Sequence, residues 1–451
     1  MPGTQSLESI SPRLDHIATV ARQRPGEALT ALAHHIDLAW LHEAYRRTRK
    51  DGAKGVDHVT AAQYAVQLEA SLTDLLNRFK SGRYLAPPVR RVHIPKGDGT
   101  STRPIGIPTF EDKILQRAAA MVLEAVYEPE FLECSYGFRP GRSAHQALQR
   151  VWRSVMEMGG AIVLDVDIRS FFDRLDHGHL RAMLDRRVRD GVIRRSIDKW
   201  LHAGVLEEGA IHRPASGTPQ GGVISPLLAN IYLHEVVDTW FVRDVRPRMR
   251  GRAELIRFAD DLVLIFERQD DARRVLDVLP KRLGKYGLEL HPDKTRLVDF
   301  RRPSSPGRTP GPGPTGRSGT FDFLGFTHYW GVSRNGNWVV KRKTAATRLR
   351  RALRAVHAWC RRHRHEPVKD QHRMLCAVLR GHYQYYGITG NAYALDHFRT
   401  GVLCTWRTWL NRRSQQARMH WKRFTRLLTR YPLPPARVVH SIYRTAANLS
   451  C

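Results

Sequence analysis

Apolar positions along the chain follow two periodicities, and the switches between them divide it into stretches of different kind. Near the N-terminus Ile17, Val20, Leu29, Leu32 and Ile36 recur at helical spacing among polar residues, predicting a helical extension up to about Lys50 before the turn-rich GAKGVDHVT. From Leu85 to Pro108 the chain reads LAPPVRRVHIPKGDGTSTRPIGIP, short β-like pieces broken by Gly and Pro, which predicts hairpins and loops. Helical spacing returns at Ile114, Leu115, Ala118, Val122 and Leu123. The run AIVLDVD, Ala161 to Asp167, is apolar until it switches to carboxylates and reads as a buried strand. LIRFADDLVLIF, Leu255 to Phe266, reads as two strands meeting in an acidic turn at Ala259, Asp260 and Asp261.

Arg301 to Gly319 is Pro-, Gly- and Ser-rich with no apolar period, as expected of a flexible loop or linker. FDFLGF after it is strand-like, and from Lys343 the spacing of Leu349, Leu353, Val356 and Cys360 predicts a helix with one apolar stripe and arginines elsewhere. The last part therefore reads as a separate basic helical domain, and no internal repeat is visible.

Charge narrows the class of function. With 451 residues and 42% hydrophobic content the chain can build two or three domains with their own cores, and it is not a disordered carrier. Its 74 Lys and Arg against 43 Asp and Glu give a formal net charge of +31. Such an excess repels itself unless a polyanion neutralises it, which points to nucleic acid. Between Lys341 and Arg430 there are 22 Lys or Arg against 3 Asp or Glu, and the dominance of Arg favours RNA or DNA over an anionic membrane. Cys134, Cys360, Cys376, Cys404 and Cys451 form no CxxC pair, which argues against zinc fingers and a disulfide framework and for a reducing compartment. No apolar run reaches bilayer-spanning length and the start lacks a signal region, so an intracellular location with no membrane partner is expected.

The candidate chemistry lies in the carboxylates. Asp165 and Asp167 are two apart on a strand and share a face, while Asp260 and Asp261 occupy a hairpin turn. If those strands are neighbours, the acids converge at one end of a sheet. Nucleotidyl transfer asks for little more, because two metal ions about 4 Å apart supply charge neutralisation and positioning. Mg²⁺ takes hard oxygen ligands and needs only a few carboxylates, the rest coming from phosphate and water. The ordinary reading of an Asp pair is a turn or a helix cap. A carboxylate closing an apolar strand is harder to explain that way, since burying it unpartnered costs roughly several kcal/mol.

FADD resembles the aromatic-x-Asp-Asp box of reverse transcriptases, with Phe where many members have Tyr, and VDIRSFFD resembles their first catalytic aspartate strand. A longer collinear set resembles group II intron reverse transcriptases and maturases and covers nearly the whole chain. It comprises GVD at 55–57, RRVHIPK ending at Lys96, RPIGIPT from Arg103, SYGFRPGRSAH at 135–145, GTPQGGVISPLLANIYLHEVVD at 217–238, RFADDLVL, GLELHPDKT ending at Thr295, and FDFLGF at 321–326. LRGHYQYYGITGN, WLNRRSQ and MHWKRF resemble the thumb and maturase region. The chain ends soon after, without the paired cysteines of the HNH endonuclease many members carry, as in the class C members.

The resemblance implies an α+β right-hand polymerase. Its parts would be a helical extension at 1–56, fingers and palm with an antiparallel sheet at 57–335, and an all-α basic thumb and maturase domain at 336–451. It implies an RNA-directed DNA polymerase using two Mg²⁺ ions held by Asp167, Asp260 and Asp261, with Asp165 accessory. Lys96 and Arg103 would clamp the incoming triphosphate. Gln220 would sit beside the nucleotide, with Gly221 and Gly222 allowing close backbone approach, and Lys294 near the acids. Phe172 would pack where a ribose 2′-hydroxyl would clash, although the residues themselves leave open which of Phe171 and Phe172 faces the site. Implied partners are intron RNA, an RNA template, a DNA or RNA primer and dNTPs. Tyr383, Tyr385, Tyr386, Trp406, Trp409 and Trp421 interleave with arginines as stacking surfaces do, and as helix cores do. Two other readings are an RNA-binding splicing cofactor without polymerase activity and a domesticated or phage-defence reverse transcriptase.

Overall fold

The computed structural model describes residues 10–95, 102–207, 209–212, 217–218, 221–303, 319–414, 416 and 418–441. Lys96 and Gln220 lie outside the described residues, as does most of the Arg301–Gly319 stretch. The chain divides into two compact units, one of residues 1–147 with 163–297, the other of 148–162 with 298–451.

In the first unit, the N-terminal apolar spacing predicts burial correctly and helix only in part. The helix Ile10–Gln23 stops before Pro25 and Gly26, where the ring restricts the preceding residue and Gly26 takes a φ of 76°. Leu29, Leu32 and Ile36 are buried, yet they lie in an irregular segment. That segment is held because Leu32 N and Ala33 N both donate to Asp190 Oδ2 at 2.8 Å. A second helix, Leu38–Arg47, follows, with Asp37 capping it through Trp40 N.

The helix Phe110–Tyr127 is buried over most of its length, its Ile, Leu, Val, Met and Ala side chains packed in part against the two N-terminal helices. Beside it strands β1 (Val89–Pro95) and β2 (Thr102–Ile107) form the expected antiparallel hairpin, with Ile94 opposite Arg103. Purely antiparallel pairing does not extend across this sheet. Strands β3 (Gly160–Asp167), β4 (Val205–Glu207) and β5 (Ala210–His212) come next in the chain, and β4 joins β1 in parallel. The sheet order is β2-β1-β4-β5.

Strands β6 (Ala253–Phe258) and β7 (Asp261–Phe266) are antiparallel, with Phe258 opposite Asp261, so Ala259 and Asp260 alone make the turn. With β8 (Arg296–Arg301) they form a sheet in the order β6-β7-β3-β8, in which β3 and β7 are neighbours. Burying each Leu, Ile, Val or Phe of β3, β6 and β7 is worth about 2 kcal/mol, enough to fix a strand whose last residue is a carboxylate.

In the second unit β9 (Phe321–Phe323), β10 (Phe326–Val332) and β11 (Trp338–Thr344) make an antiparallel sheet turned tightly at Leu324 and Gly325. Among the described residues four helices follow: Ala346–Arg362, Val368–Tyr386, Ala392–Asn411 and Trp421–Arg430. The predicted stripe points inward, with Val356 and Cys360 buried and Leu349 and Leu353 packed on the same cluster. Among the described residues no helix is long and apolar enough to cross a membrane.

Candidate active site

Strand β3 ends at Asp167 and then turns sharply, Ser170 adopting a left-handed φ of 46° before the short helix Phe171–Arg174. The segment 287–295 runs alongside this corner. Arg169 N donates to Glu289 O at 2.8 Å and His291 N to Asp167 O at 2.8 Å, which brings Lys294 Nζ to 3.2 Å from Asp167 Oδ2. Asp165 is paired with Arg296, whose Nε lies 3.0 Å from its Oδ2. Lys294 thus lies against Asp167, and Asp165 is neutralised by a partner of its own.

Asp260 occupies the β6–β7 turn on the neighbouring strand. Burial pushes its carboxyl above the usual range and the nearby Asp167 charge pushes the same way, while Arg103 and Arg257 pull it down. The structure therefore brings Asp167 and Asp260 into electrostatic contact, with Arg103 within reach of the same field. Asp261 is exposed, and neighbouring residues at a strand start point to opposite faces. Among the described residues no three metal-ligating side chains gather into one group. The donors that do approach one another are hard carboxylate oxygens, mutually repelling and partly desolvated, and that chemistry fits a divalent cation.

Phe171 is buried and Phe172 is half-exposed, so Phe172 is the ring presented outward. Its carbonyl accepts from Thr218 N at 2.8 Å, tying Thr218 to this corner. Gly221, at φ 111°, lies so close to β2 that a Cβ would come within 2.6 Å of Ile105 Cγ2 and 2.7 Å of Gly106 O.

Two sets of residues were missed in the sequence. Gln116 Oε1 accepts from Val223 N at 2.8 Å and its Nε2 donates to Asp112 Oδ2 at 3.0 Å. Asp112 also accepts from Trp200 Nε1 at 2.8 Å and from the Tyr84 hydroxyl, and burial pushes its carboxyl up to about 6. The available signal was a pair of polar residues at i and i+4 on the face of a helix whose buried positions are otherwise apolar. The other is Arg257, which is fully buried just before the acidic turn and paired with Asp238, also fully buried.

Of the aromatics in the second unit, Tyr383, Trp406 and Trp409 belong to the helical core, and Trp406 Nε1 donates to Gln371 Oε1 at 2.9 Å. Trp421 is exposed, with the Arg407 guanidinium 4.3 Å from its ring centre.

The family model described as reverse transcriptase (RNA-dependent DNA polymerase) matches residues 94–328, over half of the chain. The group II intron-encoded protein LtrA of Lactococcus lactis subsp. cremoris is 38% identical over 228 residues, 49% of this chain and 37% of that protein. Protein YkfC of Escherichia coli K12 is 35% identical over 328 residues, 64% of this chain and 84% of that protein. An uncharacterised 91 kDa protein in a cob intron of Schizosaccharomyces pombe is 40% identical over 183 residues, 41% of this chain and 22% of that protein. The match to LtrA thus spans little more than a third of its length, and the match to YkfC most of it. Acids at the ends of neighbouring strands and the collinear motifs around them agree with these matches: the chain belongs to the reverse transcriptase (RNA-dependent DNA polymerase) family, on the side of its group II intron-encoded members.

Proposed function

We propose that the protein is an RNA-directed DNA polymerase that extends a DNA or RNA primer on an RNA template. We also propose that it binds a group II intron RNA, aiding splicing and retrohoming. The observation that carries this reading is the approach of Asp167 and Asp260 at the ends of neighbouring strands. In this reading the sheet β2-β1-β4-β5 belongs to the fingers, the sheet containing β3, β6 and β7 to the palm, and the helices from Ala346 to the thumb.

Asp167, Asp260 and Asp261 would hold two Mg²⁺ ions. When bound, these neutralise the triphosphate and lower the pKa of the primer 3′-hydroxyl. Asp261, exposed at the start of β7, would be the third acid of the set. Arg103 offers its fork to the triphosphate oxygens, and Lys96 would be the second cation of that clamp. Lys294 holds Asp167 in place until substrate charge competes for it. Phe172 lies under the sugar and rejects a 2′-hydroxyl by contact, and Gln220 meets the nucleotide. The exposed cations of the last helices hold RNA by its phosphates.

The test is primer extension on an RNA template with Mg²⁺ and dNTPs, comparing the wild type with Asp260→Ala. Template-dependent DNA synthesis that vanishes in the variant supports the reading. Absence of synthesis in both, with intron splicing intact, would replace it with a splicing cofactor.

A further inference from the structure

Arg257 is the residue three before Asp260, and its side chain is fully buried. A guanidinium has five N–H donors. Here Nε donates to Asp238 Oδ1 at 2.7 Å, and Nη2 to Asp238 Oδ2 at 2.6 Å and to Ser135 Oγ at 2.7 Å. Nη1 donates to Asn230 Oδ1 at 2.9 Å and to the carbonyl of Ala259 at 3.1 Å. Every donor is used, and one of them holds the peptide that leads into Asp260.

That peptide needs holding. Ala259 has a φ of 57°, a left-handed conformation that costs a residue with a Cβ roughly 1–2 kcal/mol and persists only where the surroundings impose it. Three elements do so. The segment around Cys134 and Tyr136 pairs with Arg257 through Arg257 N to Cys134 O at 2.8 Å and Tyr136 N to Arg257 O at 2.9 Å. Gly137 then passes so near the turn that a Cβ there would lie 2.4 Å from Ala259 N. Asn230, which accepts from Arg257, donates in turn to Gly137 O at 2.7 Å. Asp238 reaches the guanidinium from a stretch, His234–Thr239, where the helix widens into π turns, a departure that often marks a functional position.

We infer that Arg257, anchored by Asp238, Asn230 and Ser135, is a positioning residue that fixes the strained Ala259–Asp260 turn and so sets where the Asp260 carboxylate stands. The inference rests on Asp260 being a catalytic acid, as proposed above. A lysine cannot replace the fork, because it has three donors at one point and would forgo either the bidentate pair or the Ala259 carbonyl.

The informative variant replaces the buried pair with apolar side chains, Arg257→Met together with Asp238→Leu. Such exchanges often leave stability unchanged or raised, so loss of positioning is read apart from loss of fold. The expected result is an unfolding midpoint and primer–template affinity near wild type. The maximal rate of nucleotide addition falls at least ~10-fold while the KM for dNTP moves less than ~3-fold, the pattern of an interaction that matters at the transition state. Amide hydrogen exchange in the 256–262 peptide should also quicken, a readout independent of activity. If this variant does not fold, Arg257→Lys, which keeps a cation for Asp238, is read by the same rate-against-KM split and the same exchange. A folded variant that adds nucleotides at the wild-type rate with an equally protected turn overturns the inference. Asp260→Ala is run beside it. Extension lost there but full in the Arg257 variants removes only the positioning role, and extension intact there removes the catalytic reading as well.

Discussion

The two units use arginine in opposite ways. In the first, Arg139, Arg187 and Arg257 have side chains no more than 4% exposed, and each meets a carboxylate, Glu128, Glu130 and Asp238 respectively. There a cation is a structural joint, valued for its fixed donor geometry. In the second unit Lys422, Arg423, Arg426 and Arg430 lie exposed along one helix, where carboxylates are scarce. There cations are an uncommitted surface charge suited to a polyanion. Net charge alone would treat both as the same +31.

The largest expected effect breaks the first side of this contrast. Arg257→Ala leaves Asp238 buried without a partner and should cost about 3–5 kcal/mol in a denaturant titration. Next comes the Asp112 network. Its carboxyl is raised from 3.8 to about 6 when folded, so the folded state binds the proton more tightly than the unfolded one. Its contribution is therefore fully favourable below about pH 4 and is lost as pH rises to about 6. Asp112→Asn cannot ionise, so the wild type should lose about 3 kcal/mol relative to it across that window, measured as the difference of their unfolding free energies against pH. A wild-type-minus-variant difference that is flat with pH would remove the buried ionisable group from the account.

Smaller effects sharpen the second side. Changing Lys422, Arg423, Arg426 and Arg430 together to alanine should leave thermal stability unchanged. It should weaken RNA binding roughly 100-fold at physiological salt and reduce the slope of log affinity against log salt by roughly 3. An unchanged slope would mean that these charges face no phosphate. The smallest effect is at the sugar-facing ring. Phe172→Ala should lower discrimination against ribonucleotides by about 10-fold in competing single-nucleotide additions, with little change in stability because the ring is already half-exposed.

What the sequence made legible was local. The strand ending at Asp167, the β6–β7 hairpin, the strand-like FDFLGF and the stripe from Leu349 to Cys360 all depend on neighbours within a few positions, and they were read correctly. The parallel pairing of β1 with β4 joins Val89 to Val205, and no periodicity in either segment encodes it. Leu29, Leu32 and Ile36 kept a helical spacing without a helix, because Pro25 and Gly26 end the preceding one and Asp190, far along the chain, anchors the rest. The rings of Trp406 and Trp409 read equally well as stacking surfaces or as core, and packing made them core. Arg257 was passed over for the same reason as Asp112. A charged residue in a basic sequence is taken as solvated until its distant partners, here Ser135, Asn230 and Asp238, are seen around it.

The near-contact between Gly137 and Ala259 N makes the 134–139 segment and the acidic hairpin a matched set. A chimaera that grafted the hairpin of a related enzyme onto this scaffold would have to bring the matching glycine loop with it. Either piece transplanted by itself would meet a host surface shaped for a different companion.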